Sequence, residues 1–324
     1  MPAGPPAGQD HAIPARGYKP QNFIVVTNPK RALHGRQVVF QLPRAIIAAT
    51  MRNIKLIIAY DGASFHGWQV QPGVPTIQGA LNEAASQITQ EKVTLHGASR
   101  TDTGVHALGQ VAHFRTHSRL SAAEFQRALN GLLPPTIRVV ASEEVGPDFH
   151  SRWQSQAKTY RYRIYRGKVL SPFDYLRVLH YPWPLDEDAM ASAARLFEGE
   201  HDFTSFAAAS GIEDDDRDMT RVIFSSEVVR EPARDEIAYV VRGRSFLRYM
   251  VRKIVGTLIE VGKGRLTFAD VQRIFDARDR NASGPTASPE GLYLVSLEYP
   301  DPADSLAATS VRSRHSKRGS ESIL

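Results

Sequence analysis

The sequence predicts an α+β fold made of two related subdomains, and three observations support this. Segments with apolar residues at every second position alternate with segments of helical spacing over residues 51–303. Each half contains three or four predicted strands with helices between them. No short-period repeat occurs, which argues against a solenoid. The composition of the 324 residues, 42% hydrophobic and 23% charged, is typical of a globular chain.

The first half, residues 51–150, opens with a strand pattern. Ile54, Leu56 and Ile58 lie at every second position. Ser121 and Glu124 have the spacing of a capping box, which predicts that a helix begins there. The predicted strands of this half lie at 54–58, 111–115 and 137–145, and its predicted helices at 77–88 and 121–132.

The second half, residues 151–303, repeats this alternation. The predicted strands lie at 158–165, 221–230, 236–241 and 292–298, and the predicted helices at 186–197, 246–260 and 268–278. In the first of these strands, Tyr160 and Tyr162 share one face, whereas Arg161 and Arg163 share the other. We therefore expect one face to offer aromatic rings and the opposite face to offer charge.

The two ends of the chain differ in composition from the body. Residues 1–50 hold six Lys and Arg against one acidic residue and show no sustained period, so we interpret them as a disordered extension, with Met51 as a candidate translation start. Residues 304–324 are predicted to form a disordered basic tail. Residues 51–304 between them are close to neutral, so a polyanionic partner would have to be bound by clustered cations.

Composition excludes several function classes. The chain has no cysteine, which removes thiolate catalysis, thiolate zinc sites and iron–sulfur clusters and makes a cytoplasmic location the default expectation. The longest charge-free run, Gly62 to Asn82, contains glycines, prolines and polar residues, so it does not predict a membrane-spanning helix.

No motif points to a metal or a nucleotide cofactor. His106, His113 and His117 lack the spacing of a known ligand set. The acidic run 213–216 is typical of a solvated loop. Neither a P-loop nor a dinucleotide-binding fingerprint occurs. We therefore expect no metal and no cofactor, including no nucleotide cofactor.

The segment with the most candidate functional residues runs from Gly97 to Ala107. Glycines and small residues surround Arg100, Asp102 and His106, so the backbone can approach a ligand while charged side chains project from a loop. An Arg-x-Asp pair alone is compatible with an ordinary structural loop, so the spacing by itself does not decide between these interpretations.

The amino-acid identities in this segment are more specific than the spacing of its charged residues. Arg-Thr-Asp-Thr-Gly-Val-His-Ala, residues 100–107, resembles the signature of the TruA family of tRNA pseudouridine synthases. The resemblance covers residues 52–299, and its other motifs are 60–62, 67–69, 149–152, 158–164, 201–206, 246–257 and 291–294. It implies two ferredoxin-like subdomains that share a continuous antiparallel β-sheet, with helices packed on one side and a central RNA-binding cleft.

The resemblance also implies roles for individual residues. Asp102 matches the essential aspartate, which acts at the sugar either as a nucleophile or as a general base. Tyr160 matches the tyrosine that stacks on the uracil and assists removal of the C5 proton. Arg252 matches the basic residue that pairs with the aspartate, and an adjacent guanidinium is expected to lower the carboxylate pKa. Arg100 matches the residue that fills the space of the flipped nucleotide.

The cations around the expected cleft are the candidate RNA contacts. Arg248 and Arg252 lie four residues apart and therefore on one helix face. We expect the basic side chains to line one cleft, and the complete set of predicted RNA-binding residues is Arg100, His106, Arg161, Arg163, Arg248 and Lys253.

The resemblance implies an isomerase that converts uridine to pseudouridine in the anticodon stem-loop of tRNA, at positions 38–40 in that family. The expected partners are tRNA and a second copy of the chain in a homodimer, with no membrane. Two alternatives remain open at this stage. One is a non-catalytic RNA-binding protein or tRNA chaperone on the same scaffold, and the other is a hydrolase that uses the same aspartate to release uracil.

Overall fold

Residues 50–208 and 218–300 are the part of the chain that the computed structural model describes. The predictions made for the N-terminal extension, for the acidic run 213–216 and for the tail after residue 303 lie outside the described residues. None of the described helices has the length and apolar character that a membrane crossing requires.

Strands and helices alternate along the described residues, as the periodicity predicts. The strands are β1 Arg52–Tyr60, β2 His96–Gly97, β3 His106–Thr116, β4 Ile137–Val145, β5 Ala157–Tyr165, β6 Leu179–His180, β7 Gly199–Asp202, β8 Thr220–Glu231, β9 Glu236–Gly243 and β10 Leu292–Glu298. The α-helices are α1 Ile77–Thr89, α2 Ala122–Leu132, α3 Glu187–Ala194, α4 Met250–Gly262 and α5 Phe268–Ala277.

Most boundaries agree with the sequence pattern, and the differences have local causes. Ser121 and Glu124 form the predicted capping box at the start of α2. Helix α4 begins at Met250 and not at Phe246, because Tyr249 has a left-handed φ of 63° that interrupts the helical backbone. Strands β2, β6 and β7 were not predicted, because two to four residues are too few to show a period.

The strands form one continuous sheet in the order β4-β1-β3-β10-β5-β9-β8-β7, with β2 paired to β3 and β6 to β5. Most neighbours are antiparallel, but β10 pairs in parallel with β3 and β6 in parallel with β5. Strand β10 comes from the end of the chain and lies between a strand of the first half and a strand of the second. The sheet is thus continuous and mostly antiparallel, as the resemblance implies.

The core lies between one face of this sheet and the helices. Ile54, Leu56 and Ile58 of β1 and Tyr162 of β5 belong to the same buried cluster as the apolar residues of all five helices. Alternation along a strand sends the intervening side chains to the opposite face. The helices therefore cover one face of the sheet, and the side chains that share the face of Tyr160 point toward them.

Candidate active site

Asp102 lies on the loop between β2 and β3, and a second loop after β1 holds this segment in place. The backbone N–H of Trp68 donates to the carbonyl of Thr101 at 3.0 Å. The hydroxyl of Tyr60 and the Oγ1 of Thr101 are hydrogen-bonded at 2.8 Å in a buried position. After Asp102, the backbone N–H of Gly104 donates to the carbonyl of Phe65 at 3.3 Å, so the loop is held on both sides of the aspartate.

A glycine allows the two loops to approach each other. Gly67 has a φ of +83°, which is accessible to glycine but costly for other residues. A Cβ at this position would lie 2.5 Å from the carbonyl oxygen of Thr101, which is closer than real contacts allow. Close packing of the two backbones therefore explains why position 67 is a glycine.

The Asp102 carboxylate pairs with Arg252 of helix α4. Arg252 Nη1 lies 3.2 Å from Asp102 Oδ2, and its Nε donates to the carbonyl of Ala287 at 2.7 Å. The guanidinium carbon also lies 5.0 Å from the centre of the Tyr249 ring. The side chains remain 22% exposed for Asp102 and 13% exposed for Arg252. A held but reachable carboxylate can react with a group that enters the cleft.

Burial raises the pKa of the Asp102 carboxyl above its ordinary value. Removal of the carboxylate from water is the largest influence, and it outweighs the positive charges of Arg252 and Arg248, which act in the opposite direction. The net direction is opposite to the one expected from the sequence, where only the neighbouring guanidinium could be considered. A raised pKa makes the carboxylate more basic, which suits a general base and also a nucleophile.

Tyr160 lies beside the carboxylate with its hydroxyl hydrogen-bonded to Ser99 Oγ at 2.8 Å. Its ring packs edge-on against Phe246 at 5.1 Å between centres and is only 6% exposed. Burial raises the pKa of the Tyr160 hydroxyl to about 12. The hydroxyl is therefore protonated near neutral pH, and any proton it accepts must be matched by the release of its own, for which Ser99 is the adjacent partner.

Two exposed cations stand beside this pair. The guanidinium carbon of Arg248 lies 4.9 Å from the centre of the Tyr249 ring, on the same side chain that Arg252 contacts. The Arg248 charge also acts on the Asp102 carboxyl. Arg100 is exposed two residues before Asp102, and no hydrogen bond or ion pair within the described residues engages it. Both side chains are free to meet an anionic ligand.

Comparison with known proteins identifies the family. The sequence model described as tRNA pseudouridine synthase matches residues 56–154 and 193–300. The tRNA pseudouridine synthase A of Solibacter usitatus is 50% identical over 249 residues, which cover 77% of this chain and 100% of that protein. The chain belongs to the tRNA pseudouridine synthase family. It is therefore an isomerase.

Other relatives have similar coverage. The tRNA pseudouridine synthase A 1 of Desulfotalea psychrophila is 41% identical over 256 residues, which cover 77% of this chain and 100% of that protein. The tRNA pseudouridine synthase A of Acetivibrio thermocellus is 44% identical over 249 residues, again 77% of this chain and 100% of that protein. These full-length matches confirm the resemblance found in the motifs.

Within this pseudouridine synthase, His106 does not reach the cleft surface. The ring is 2% exposed and stacks on Tyr293 at 4.7 Å. The backbone N–H of Gly62 donates to its Nδ1 at 3.1 Å, and its Nε2 lies 3.0 Å from the carbonyl of Leu176. Burial lowers the pKa of the ring. Both nitrogens are occupied by hydrogen bonds within the fold, so the structure does not present this ring at the surface.

Arg161 and Arg163 also lie away from the carboxylate. They alternate with Tyr160 on β5 and so point to the opposite face of the sheet. Arg161 forms an ion pair with Glu231, and Arg163 forms a two-bond pair with Glu236 at 2.6 and 2.9 Å. Strand alternation separates these two arginines from Tyr160, so the structure does not bring them together with Asp102 and Arg252.

Lys253 is used within the fold. Its Nζ donates to the carbonyl of Arg280 at 2.6 Å and to Ser283 Oγ at 3.0 Å. Burial lowers the pKa of this ammonium. Lys253 thus attaches the segment after α5 to helix α4, next to the turn of α4 that presents Arg252.

Sequence reasoning missed three contributors to the site. Ser99 hydrogen-bonds the tyrosine hydroxyl, the Ala287 carbonyl orients Arg252, and Tyr249 lies under two guanidinium groups. Only Tyr249 had a local signal, since an aromatic ring between two arginines is a common arrangement for cation–π contact. The other two act through atoms whose proximity depends on the fold. Among residues 50–208 and 218–300, no His, Asp or Glu group has a metal-binding arrangement.

Proposed function

We propose that this pseudouridine synthase isomerises uridine in the anticodon stem-loop of tRNA, at positions 38–40, and that Asp102 carries out the chemistry. The observation that supports this most strongly is the partly exposed Asp102 carboxylate, paired with Arg252 and adjacent to Tyr160. The choice of stem-loop rests on the resemblance to the TruA family and on relatives that are named tRNA pseudouridine synthase A.

The reaction breaks one bond to the sugar and forms another. The N1–C1′ bond of uridine breaks, the uracil rotates, and C5 bonds to C1′. The C5 hydrogen then leaves as a proton, and N1 gains a proton, so no electrons enter or leave. No redox cofactor is therefore required by the balance of atoms.

Asp102 can assist the first step in two ways. As a nucleophile it attacks C1′ and forms an ester that the rotated uracil later displaces. As a general base it removes a proton from the sugar, which allows the uracil to depart, and it returns that proton to the sugar when C5 bonds to C1′. In both cases Arg252 holds the carboxylate in position through one N–H, while the Ala287 carbonyl fixes the other side of the guanidinium.

Tyr160 is assigned to the uracil after it leaves the sugar. Its ring is positioned by Phe246 and its hydroxyl by Ser99. Because the hydroxyl is protonated near neutral pH, we propose that it accepts the C5 proton only as it passes its own proton toward Ser99. A small opening of the cleft must accompany this step, since the ring is largely buried in the free protein.

Arg100 is assigned to base flipping, and Arg248 to the RNA backbone. Both are exposed beside the carboxylate, where they can neutralise phosphates next to an extruded nucleotide. We further propose a cytoplasmic homodimer that recognises the tRNA mainly through shape and backbone, in line with the sequence expectation. The division into a catalytic subdomain, 51–150, and a second subdomain, 151–303, is part of the same proposal.

The test is release of tritium from tRNA that carries C5-labelled uridine. Wild type should release it, and Asp102→Asn should lower the rate at least about 10³-fold because the reactive carboxylate is gone. Asp188→Asn is the matched control, since its carboxylate is exposed on α3 and should be dispensable. Reverse transcription after chemical labelling of pseudouridine then maps the modified positions, and sites outside 38–40 would contradict the assigned stem-loop.

Product analysis separates the alternatives. Free uracil in place of pseudouridine would indicate a hydrolase. Tight tRNA binding with no tritium release from wild type would indicate an RNA-binding protein or chaperone. Full activity of Asp102→Asn would remove the carboxylate from the mechanism even if pseudouridine forms.

A further inference from the structure

Trp153 has an unusually exposed side chain for a tryptophan. The indole is 79% exposed, although tryptophan is usually buried to a large extent. One of its faces stacks on the His150 ring at 3.8 Å between centres, with an angle of 11° between the planes. The exposure is therefore concentrated on the other face of a ring whose orientation is already set.

The stacking partner is itself held by the backbone of the same turn. The N–H groups of Arg152 and Trp153 both donate to His150 Nδ1, at 3.2 and 3.3 Å. The neighbouring Ser151 donates its hydroxyl to the carbonyl of His96 at 2.6 Å, which ties the turn to β2. Ordering an exposed aromatic ring in advance reduces the entropy lost when a ligand stacks on it.

Two arginines lie close enough to the stacked His150 ring to act on it electrostatically. Arg152 and Arg115 both act on the His150 ring and contribute to its lowered pKa, which burial lowers most. Arg152 also acts on Lys158, whose pKa burial lowers to about 8. The side chains of Arg152 and Arg115 are exposed. A flat aromatic ring among cations has the chemistry of a nucleic-acid contact, where a base stacks and phosphates pair.

The turn that carries this ring is joined to β2, the strand that leads into the Asp102 loop. Strand β1 occupies one edge of β3, and β2 and β10 pair with the other edge. The contact of β10 with β3 is limited to Tyr293 and Leu294, and β2 pairs with β3 further along, at His113 and Ala112. Lys158 of β5, on which the charge of Arg152 acts, donates its Nζ to the Ala98 carbonyl at 3.0 Å, next to Ser99.

We propose that Trp153, His150, Arg152, Arg115 and Lys158, here termed the Trp153 surface, bind the tRNA substrate outside the target nucleotide. An unpaired base stacks on the open face of Trp153, and the adjacent phosphates pair with Arg152 and its neighbours. This assignment rests on the proposed function and extends it with a second contact for the same RNA. Its role is to hold the RNA while the target uridine is flipped into the Asp102 cleft.

The test uses the full chain in single-turnover tritium release at increasing enzyme concentration. Trp153→Ala should raise the half-saturating concentration roughly tenfold, as expected for loss of one stacked base, with the maximum rate within threefold of wild type. Trp153→Phe should restore tight binding, because it retains a flat ring. Trp183→Ala is the matched control, since Trp183 is 61% exposed and contacts Tyr181 and not the Trp153 surface.

Arg152→Ala separates charge from stacking. It should reduce the slope of log affinity against log salt concentration by about one, whereas Trp153→Ala should leave that slope unchanged. Thermal melting by circular dichroism of each variant checks that the fold is intact. If Trp153→Ala is destabilised, the tRNA affinities of Trp153→Phe and Trp153→Leu are compared in its place. Only Trp153→Phe should bind tightly, because only its side chain has a ring that allows stacking.

The outcomes distinguish this inference from the proposed function. Wild-type tritium release with unchanged saturation of Trp153→Ala would overturn the Trp153 surface alone. Absence of release from wild type would overturn the proposed function, and filter binding of the same variants to tRNA would still decide the surface. A change in the sedimentation coefficient of Trp153→Ala without a change in tRNA affinity would show a contact between protein copies and would also overturn the inference.

Discussion

The arginines beside Asp102 and the arginines on the opposite face of the sheet were predicted to act together, yet they differ in their partners. On the opposite face, Arg163 is paired with Glu236. Arg242, which was not among the predicted residues, is paired there with Glu298 through two bonds at 2.6 and 2.7 Å. In the cleft, Arg252 is paired with the reactive carboxylate, and Arg248 is exposed without a carboxylate partner among the described residues.

This difference teaches that the partner of a cation, and not its presence, decides whether it is available to RNA. A guanidinium with a bidentate glutamate is already neutralised and must lose that pair before it binds a phosphate. An exposed guanidinium with no carboxylate partner releases counterions when it meets RNA and gains affinity directly. The near-neutral body of the chain is compatible with tRNA binding for this reason.

Of the four predictions, Arg252→Met should cause the largest change, and this change is in the reaction rate. Loss of the guanidinium leaves the partly exposed carboxylate without its charge partner, so the rate of tritium release should fall about 10²- to 10³-fold. Arg252→Lys should recover part of the rate, because it restores the charge without the two-sided hydrogen bonding. Arg242→Met, the matched variant on the opposite face, should keep full activity. Activity of Arg252→Met within threefold of wild type would contradict the assigned role.

Arg163→Met should act on stability and not on chemistry. Glu236 has a side chain that is 4% exposed, so removal of its partner leaves a buried carboxylate unpaired. We expect the free energy of unfolding to fall by about 3 kcal/mol. Urea denaturation measures this, and the single-turnover rate at 15 °C should remain within about twofold of wild type. A stable variant with a much lower rate would place Arg163 in the site after all.

Arg248→Ala and Arg161→Ala form a pair of matched substitutions on the two faces. Arg248→Ala should weaken tRNA binding about threefold to tenfold and reduce the salt slope by about one. Arg161→Ala should change neither, because its charge is already compensated by Glu231. Filter binding between 50 and 300 mM salt provides both quantities. Equal losses in the two variants would show that pairing does not restrict the outer arginines.

The fall in the reaction rate at low pH should reflect the environment of Asp102. It is the smallest of the four predicted effects. The reactive form is ionised, and burial raises the folded-state pKa above the ordinary value, so the rate should fall as the pH falls through that raised pKa. We expect this loss to begin at a higher pH than it would for an exposed aspartate. In Arg252→Lys this fall in rate should shift little, and in Arg252→Met it should move to higher pH because a charge that favours ionisation is removed. Single-turnover rates from pH 4.5 to 8 measure this.

The sequence predicted the order of the elements well, because hydrophobic period is a local property. The capping box at Ser121 and the strand around Tyr160 are formed where the pattern placed them. The start of α4 was predicted four residues early, since no glycine or proline in the sequence marks the left-handed backbone at Tyr249 that precedes the helix.

The motif residues were predicted less evenly. Asp102 and Arg252, 150 residues apart, are brought into contact as expected. His106 belongs to the same signature but is buried against Tyr293 and Leu176. A signature therefore identifies residues that a family needs, without separating those that touch a ligand from those that hold the loop.

By itself, the sequence determined the membership in the pseudouridine synthase family, the sequence of strands and helices, and the alternation of Tyr160 with Arg161 along one strand. These depend on side-chain identity and on backbone period, which are properties of neighbouring residues. Only the tertiary structure decided which face of the sheet meets the helices, which arginine has a glutamate partner, and in which direction the pKa of Asp102 moves. Burial and pairing depend on residues that are distant in the chain. The free energy of a charged side chain is set by these neighbours in space and not by its position in a motif.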